Sequence, residues 1–284
     1  MSRRLAWVTG AGGLIGHQIV LAAPRHAPDW EVCALTRERL ELSDFDAVTR
    51  AFEAQRPALL IHCAALSRSP ACEADPGLAT LSNVRVTEHL SRLAEGIPFF
   101  FLSTDLVFDG RRGHYAEGDP VNPLSVYAAT KVTAEQRVLQ NRRHTVIRTS
   151  LNGGVSPTGP RGFNEELRRA WQEGRTTRLF TDEFRSPIPA SATARAIWEL
   201  VAAGAADLFH VAGSERLSRW DIGRLVAARW PALQPRLEPA SLGDYEGPPR
   251  PPDTSLNCAK AQALLGFRLP GLGKWLRDNP REMF

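Results

Sequence analysis

Apolar residues fall in short, nearly unbroken runs through the first half of the chain, with stretches of helical period between them. Leu5-Ala6-Trp7-Val8-Thr9, Glu31 to Thr36, Ala58 to His62, Phe99 to Leu102 and Thr145 to Arg148 read as strands. An unbroken apolar run cannot hide on one face of a pleated strand, so both faces must be covered. Between the strands, Leu14 to Ala23 predicts a helix that ends before Pro24. Ser43 can cap a helix over Asp44 to Gln55, and further helices are expected over Leu78 to Ala94 and Ser125 to Gln140. Alternating strands and helices predict a parallel sheet covered on both sides, a doubly wound α/β domain over residues 1–150.

The pattern changes after Ser150. Gly153-Gly154 and Ser156-Pro157-Thr158-Gly159-Pro160 form a flexible junction, helices follow at about 163–173, 190–203 and 218–229, and Pro248-Pro249-Arg250-Pro251-Pro252 is a stiff extended stretch. Residues 151–284 are therefore expected to make a smaller substrate-binding lobe, with some segments packing back on the first domain and a ligand cleft between the two.

Composition narrows the function. With 43% apolar and 23% charged residues among 284, the chain is ordinary globular material, neither disordered nor fibrous. The net charge of +4 is spread over 35 basic and 31 acidic residues, which favours anionic small molecules without indicating a nucleic-acid partner. No apolar run approaches the ~18 residues that a membrane span needs. Cys33, Cys63, Cys72 and Cys258 form no C-x-x-C pair and sit in apolar surroundings, so buried free thiols are expected. With no hydrophobic leader-like run near Ser2-Arg3-Arg4, a cytoplasmic setting is expected.

Gly10-Ala11-Gly12-Gly13-Leu14-Ile15-Gly16 directly follows the first strand and opens the first helix. A tight turn, a close backbone approach and close helix packing each exclude a side chain, and a helix N-terminus offers N–H groups to a pyrophosphate. Gly10, Gly13, Leu14, Ile15 and Gly16 are thus expected to bind a dinucleotide in a Rossmann-type fold. No G-K-[ST] follows, which speaks against nucleoside triphosphate chemistry. The second strand ends at Arg37 rather than at an acid; a guanidinium suits a 2′-phosphate, so NADP(H) is expected over NAD(H).

Tyr127 and Lys131 stand four residues apart at the start of a helix, on one face. The chain has only three tyrosines and three lysines, so chance supplies about 0.03 such pairs. The ammonium is expected to lower the phenol pKa and ready Tyr127 to exchange a proton with a carbonyl or alcohol. A hydroxyl at the end of the fourth strand, Thr104 or Ser103, can hold the substrate oxygen beside the phenol.

These residues resemble the extended short-chain dehydrogenase/reductases, and within them the dTDP-4-dehydrorhamnose reductase family. The likeness runs nearly end to end. It includes Gly10 to Gly16, Cys63-Ala64-Ala65-Leu66 with Asn83, Ser103 to Gly110 (similar to S-T-D-Y-V-F-D-G), Pro120 to Lys131, Asp182 to Pro187 and Arg250 to Asp253. The resemblance implies Thr104, Tyr127 and Lys131 as the catalytic set. It implies Cys63, Ala64, Ala65, Leu66, Asn83, Tyr127 and Lys131 beside the cofactor, with Lys131 on the nicotinamide ribose, and a 4-keto sugar attached to a nucleoside diphosphate as substrate. Ser103, Asp105, Leu106 and Leu151 would face that sugar, and Arg185 and Arg250 would hold its diphosphate. Leu106 stands where the family has Tyr, Leu151 where many members have Trp, and Ala128 where Gly is usual, so the reduction is better marked than the particular sugar. No metal is expected, and a homodimer fits the resemblance.

Two other readings stay open at this level, and a third is disfavoured. A non-catalytic NADP-binding protein resembling the regulatory subunit of methionine adenosyltransferase retains the same fold. A sugar-nucleotide epimerase uses the same tyrosine with a retained NAD. A dehydratase needs an Asp-Glu pair after the threonine, and here Leu106 follows Asp105.

Overall fold

A computed structural model describes residues 3–159 and 162–284. Met1, Ser2, Arg161 and the junction residue Pro160 lie outside the described residues. The first half runs β1 (Arg4–Thr9), α1 (Leu14–His26), β2 (Trp30–Leu35), α2 (Phe45–Gln55), β3 (Leu59–His62), α3 (Ser69–Ala74), α4 (Pro76–Thr80), α5 (Val86–Leu93), β4 (Phe99–Thr104), α6 (Val126–Val138) and β5 (Thr145–Thr149). The second half continues with β6 (Asn152–Gly153), α7 (Phe163–Gln172), β7 (Thr177–Phe180), β8 (Phe184–Arg185), β9 (Ile188–Pro189), α8 (Ala190–Ala202) and β10 (Asp207–Val211). It ends with β11 (Leu217–Ser218), α9 (Arg219–Ala227), β12 (Leu237–Ala240), α10 (Ala259–Gln262) and α11 (Leu272–Asp278).

Six parallel strands form the central sheet in the order β10-β5-β4-β3-β1-β2. The alternation of each strand sends its side chains into two separate cores. Ala6, Val8, Ile61, Phe100 and Ile147 pack on one side with Ile19 of α1 and Ile197 and Trp198 of α8. Trp7, Leu60, Phe99, Phe101 and Val146 pack on the other with Val48, Leu90, Ala134 and Val138 from α2, α5 and α6. This two-sided burial is what the unbroken apolar runs require.

The second half contributes to both parts of the molecule. Its α8 packs on α1, where the Trp198 indole donates to the Ile19 carbonyl at 2.8 Å, and its β10 pairs along the whole of β5. The remainder builds a smaller core from Leu167, Trp171, Leu179, Ile222, Val226, Leu272 and Leu276 around three two-stranded pairings, β6-β9, β7-β12 and β8-β11.

Three local expectations are corrected. Pro24 does not end α1, which continues to His26. Pro24 lies in the last turn, where its missing N–H costs only the bond to one carbonyl. Asp44, not Ser43, caps α2: its carboxylate accepts the Ala47 N–H at 2.9 Å, while Ser43 donates to Glu41. The helix expected over Leu78 to Ala94 starts earlier, after an Asp75 cap, and contains a π-helical turn at Leu81–Arg85 between α4 and α5. The short helix α3 before it carries no strong periodic signal in sequence.

Candidate active site

The sheet order reverses between β1 and β3, so the loops leaving those two strands part and open a crevice at their carboxyl ends. Gly10 turns the chain there with φ +67°, and a Cβ on it would stand 2.6 Å from the Ala64 nitrogen. A Cβ on Gly16 would collide with the Gly10 carbonyl. These two glycines let β1, α1 and the loop after β3 meet. Gly13 is the N-cap of α1, with no side-chain cap and no acid in the first turn. The Leu14 and Ile15 N–H groups therefore lack helical partners and carry the positive end of the helix dipole. The Thr158 hydroxyl donates to the Gly12 carbonyl at 2.8 Å, which lays the segment after β6 over this turn. Arg37 sits beyond β2 with its side chain 87% exposed and only a loose ion pair to Glu41, 3.6 Å away, so its fork is free for a phosphate.

Cys63 to Leu66 leave β3 on the other side of the crevice. Asn83, expected to touch the cofactor, is instead buried as a clamp. Its Oδ1 accepts the Leu66 N–H at 2.8 Å, and its amide donates to the Leu66 carbonyl at 3.1 Å and the Thr130 hydroxyl at 3.0 Å. Both amide protons are spent, so its action is to fix the loop against α6. The π turn around Asn83 aims it there, a placement that no periodicity announces. The Cys63 thiol is pushed up to about 12 by burial, against the pull of Lys131, and stays protonated. All four cysteines are free; Cys33 and Cys72 are buried, while Cys63 and Cys258 are only partly so.

The proposed catalytic side chains meet at the end of β4. Ser125 caps α6 by accepting the Ala128 N–H at 3.2 Å, and the Glu73 carboxylate from α3 accepts the Val126 N–H at 2.8 Å. These caps fix the first turn of α6, which carries Tyr127. The Thr104 hydroxyl lies beside the Tyr127 phenol and pulls its pKa down. Lys131 is buried one turn on, its ammonium 2.6 Å from the Leu102 carbonyl and 3.9 Å from the centre of the Phe101 ring. Burial, and then the Asp105 charge, hold the Tyr127 phenol above the ordinary range. The expected lowering by Lys131 is therefore corrected: the ammonium is directed to Leu102, and the phenol is kept protonated.

Burial brings Lys131 down to about 7, with Glu135 and Cys63 opposing the fall. The unfolded lysine titrates near 10.4. Between pH 7 and 9 the unfolded chain thus holds a proton that the folded chain releases, and folding gains stability as pH rises. Urea unfolding should show parent minus Lys131→Met stability growing by about 2 kcal/mol from pH 7 to pH 9. A flat difference would place the lysine titration elsewhere.

Four expected substrate contacts point elsewhere. Ser103 donates to Glu135 at 2.5 Å beneath α6, because strand alternation sets its side chain opposite to those of Leu102 and Thr104. Asp105 is fully buried and accepts from Arg185, Ser150 and Thr254. Arg185 spends its fork on Asp105, at 2.6 and 2.5 Å, rather than on open solvent. Leu151 packs into the small-lobe core with Phe163 and Trp220. Leu106 is half-buried beside the site, its N–H donating to the Thr104 hydroxyl at 3.2 Å. Arg250 lies further out; it bonds Glu183 at 2.7 Å and lies over Phe180 and Tyr245. Glu183, held down to about 2 by Arg219 and Arg250 in spite of its burial, is shared by both.

Sequence reading missed Glu135 and Arg148, a buried pair beneath Lys131 with a 2.7 Å Nη2–Oε2 contact. The signal was present: Tyr127, Lys131 and Glu135 follow at steps of four, which keeps them on one helix face.

Among the described residues, no helix is long and apolar enough to cross a membrane. Residues 5–279 match the family described as RmlD substrate binding domain. The dTDP-4-dehydrorhamnose reductase of Sinorhizobium fredii is 30% identical over 283 residues, covering 94% of this chain and 93% of that protein. Methionine adenosyltransferase 2 subunit beta of Xenopus laevis is 28% identical over 284 residues, 94% of this chain and 84% of that protein. Among solved structures, dTDP-4-dehydrorhamnose reductase from Bacillus anthracis in complex with NADP superposes with a TM-score of 0.88 over 98% of both chains. At 21% identity this last likeness is one of fold.

Proposed function

The chain belongs to the RmlD substrate-binding domain family, and from that membership and the geometry at the end of β4 we propose that it reduces a 4-keto group on a nucleotide-linked deoxysugar with NADPH. The observation that carries the reading is the placement of Thr104, at the carboxyl end of β4, beside Tyr127, with buried Lys131 one turn along α6. The Sinorhizobium reductase, similar over nearly its whole length, supports the substrate class.

The residues present fit a dinucleotide. The uncapped start of α1 and the close approach of Gly10 to Ala64 leave backbone donors for a pyrophosphate at Leu14 and Ile15, while the Gly13 N–H holds the turn by donating to the Gly10 carbonyl at 2.9 Å. Arg37 suits a 2′-phosphate, Cys63 to Leu66 would line the cofactor, and Lys131 would hold the nicotinamide ribose. When bound, the dinucleotide supplies the hydride. Thr104 orients the substrate carbonyl by donating a hydrogen bond to its oxygen. Tyr127 gives that oxygen a proton as the alcohol forms, and its high pKa ensures that the proton is present at neutral pH.

Nucleotide-linked 4-keto sugars should oxidise NADPH in the presence of the protein, followed at the nicotinamide absorbance. The Xenopus relative is named as a subunit of another enzyme. If cofactor binds tightly while the whole panel of keto sugars leaves it unoxidised, a binding role of that kind replaces the reductase reading. Cofactor choice has its own check. Arg37→Asp should lower the preference for NADPH over NADH by about tenfold or more, the value of a charge-assisted contact. An unchanged kcat/KM ratio would make Arg37 a surface charge only.

A further inference from the structure

Asp105 is the most heavily engaged carboxylate near the site. With no exposure to solvent, it accepts from Arg185 Nε at 2.6 Å and Nη2 at 2.5 Å, from the Ser150 hydroxyl at 2.5 Å, from Thr254 at 3.1 Å and from Thr104 at 3.2 Å. These partners arrive from the end of β4, the end of β5, the strand β8 and the stretch before α10. Arg185 comes from the small lobe, where β8 pairs with β11 and Phe184 bridges to Asp253.

Thr104 has one hydroxyl proton. It accepts the Leu106 N–H, and its proton can go to Asp105 at 3.2 Å or to an oxygen beside Tyr127. A bare carboxylate would capture that proton and would also oppose ionisation of the phenol. An Asp105 closed by a bidentate guanidinium does less of both. We propose that Asp105 and Arg185 are a positioning pair: Arg185, brought in by the small lobe, neutralises Asp105 and so frees the Thr104 hydroxyl and the Tyr127 phenol to act on a carbonyl oxygen. This rests on Tyr127 being the acid of the proposed reduction.

The groups that face Tyr127 act with consistent signs. Asp105 after β4 and Cys72 on α3 raise its pKa, and Thr104 and Arg185 lower it. Lys131 follows on its own helix, and Glu73 caps the turn beneath. Docking of the small lobe and the strength of the acid are thereby linked through one ion pair.

The test reads the phenol directly. Replacing the three tyrosines biosynthetically with a fluorinated, more acidic tyrosine brings their midpoints into the range where the fold persists, and 19F NMR resolves them. Asp105→Asn should lower the Tyr127 midpoint by about one pH unit, and Arg185→Gln should raise it by about one. Both variants break the same bridge, so a merely structural role predicts shifts of one sign. Same-sign shifts, or no shift in either, overturn the proposal. Each variant fixes its own sign, so either one that folds decides. If neither folds, Arg185→Lys keeps the charge without the fork. A midpoint held within about half a unit supports the pair, and a displacement of a full unit refutes it. The titration needs no sugar substrate, so failure of the reductase reading shows separately, as a parent protein that binds NADPH without turnover.

Discussion

Tyr127→Phe is expected to lower kcat for ketone reduction by about a thousandfold, within the range that a positioned general acid contributes. Cofactor affinity should change little, because the pyrophosphate turn and Arg37 lie on other elements. The fold should survive too. Ser125 and Glu73 still cap α6, and Thr104 keeps its bonds to Leu106 and Asp105 when the phenol is gone. Losing one hydrogen bond costs about 1 kcal/mol. Steady-state rates with saturating NADPH, beside a fluorescence titration of NADPH binding, separate the two effects. A variant that turned over like the parent would place the acid elsewhere. A variant that lost NADPH binding as well would mean that the phenol holds cofactor rather than delivers the proton.

Glu135→Ala should cost about 3–5 kcal/mol of folding stability, the penalty for stranding one partner of a buried ion pair. Side-chain exposure of Glu135 and Arg148 is 3% and 6%, so water cannot replace what is removed. Glu135 accepts from Arg148 Nε and Nη2 and from Ser103, and the truncation abandons all three donors. Arg148 has no ready substitute, since its Nη1 is already buried without a partner and its guanidinium lies over the Phe108 ring. Urea unfolding measures the loss. The double variant Glu135→Ala/Arg148→Met, which removes both charges, should recover most of it. If the single variant were as stable as the parent, the pair would be idle. The pair also lies beneath Lys131, so the single variant should lower the Lys131 pKa further by removing the nearest opposing charge.

What the sequence disclosed and what it withheld divide along physical lines. The parallel sheet was legible because runs such as Phe99-Phe100-Phe101-Leu102 have no polar face to offer water. Gly10 and Gly16 were legible because steric exclusion leaves a mark that only glycine can make. Tyr127 and Lys131 could be paired because helical spacing is local. The directions of Ser103, Asp105 and Arg185 were not legible. Each depends on a partner from a distant segment: Arg185 is eighty residues from Asp105, and Ser103 reaches Glu135 on another element. Asn83 shows the same limit. The family resemblance implied a cofactor contact, but the π turn that aims Asn83 at Leu66 and Thr130 has no periodic signature. The small-lobe core was the least readable, since its strands are two to four residues long and its order comes from packing among Leu167, Trp171 and Ile222.

The pairing of β10 with β5 bears on how the protein is made. During synthesis β5 leaves the ribosome early, but the strand that covers its free edge is complete only at Val211, more than sixty residues after Val146. Over that interval the nascent chain presents an open strand edge flanked by buried apolar side chains, the kind of surface that recruits chaperones or joins another chain. Substitutions that delay β10 should therefore reveal themselves first as lower soluble yield, before any change in the chemistry of the finished protein.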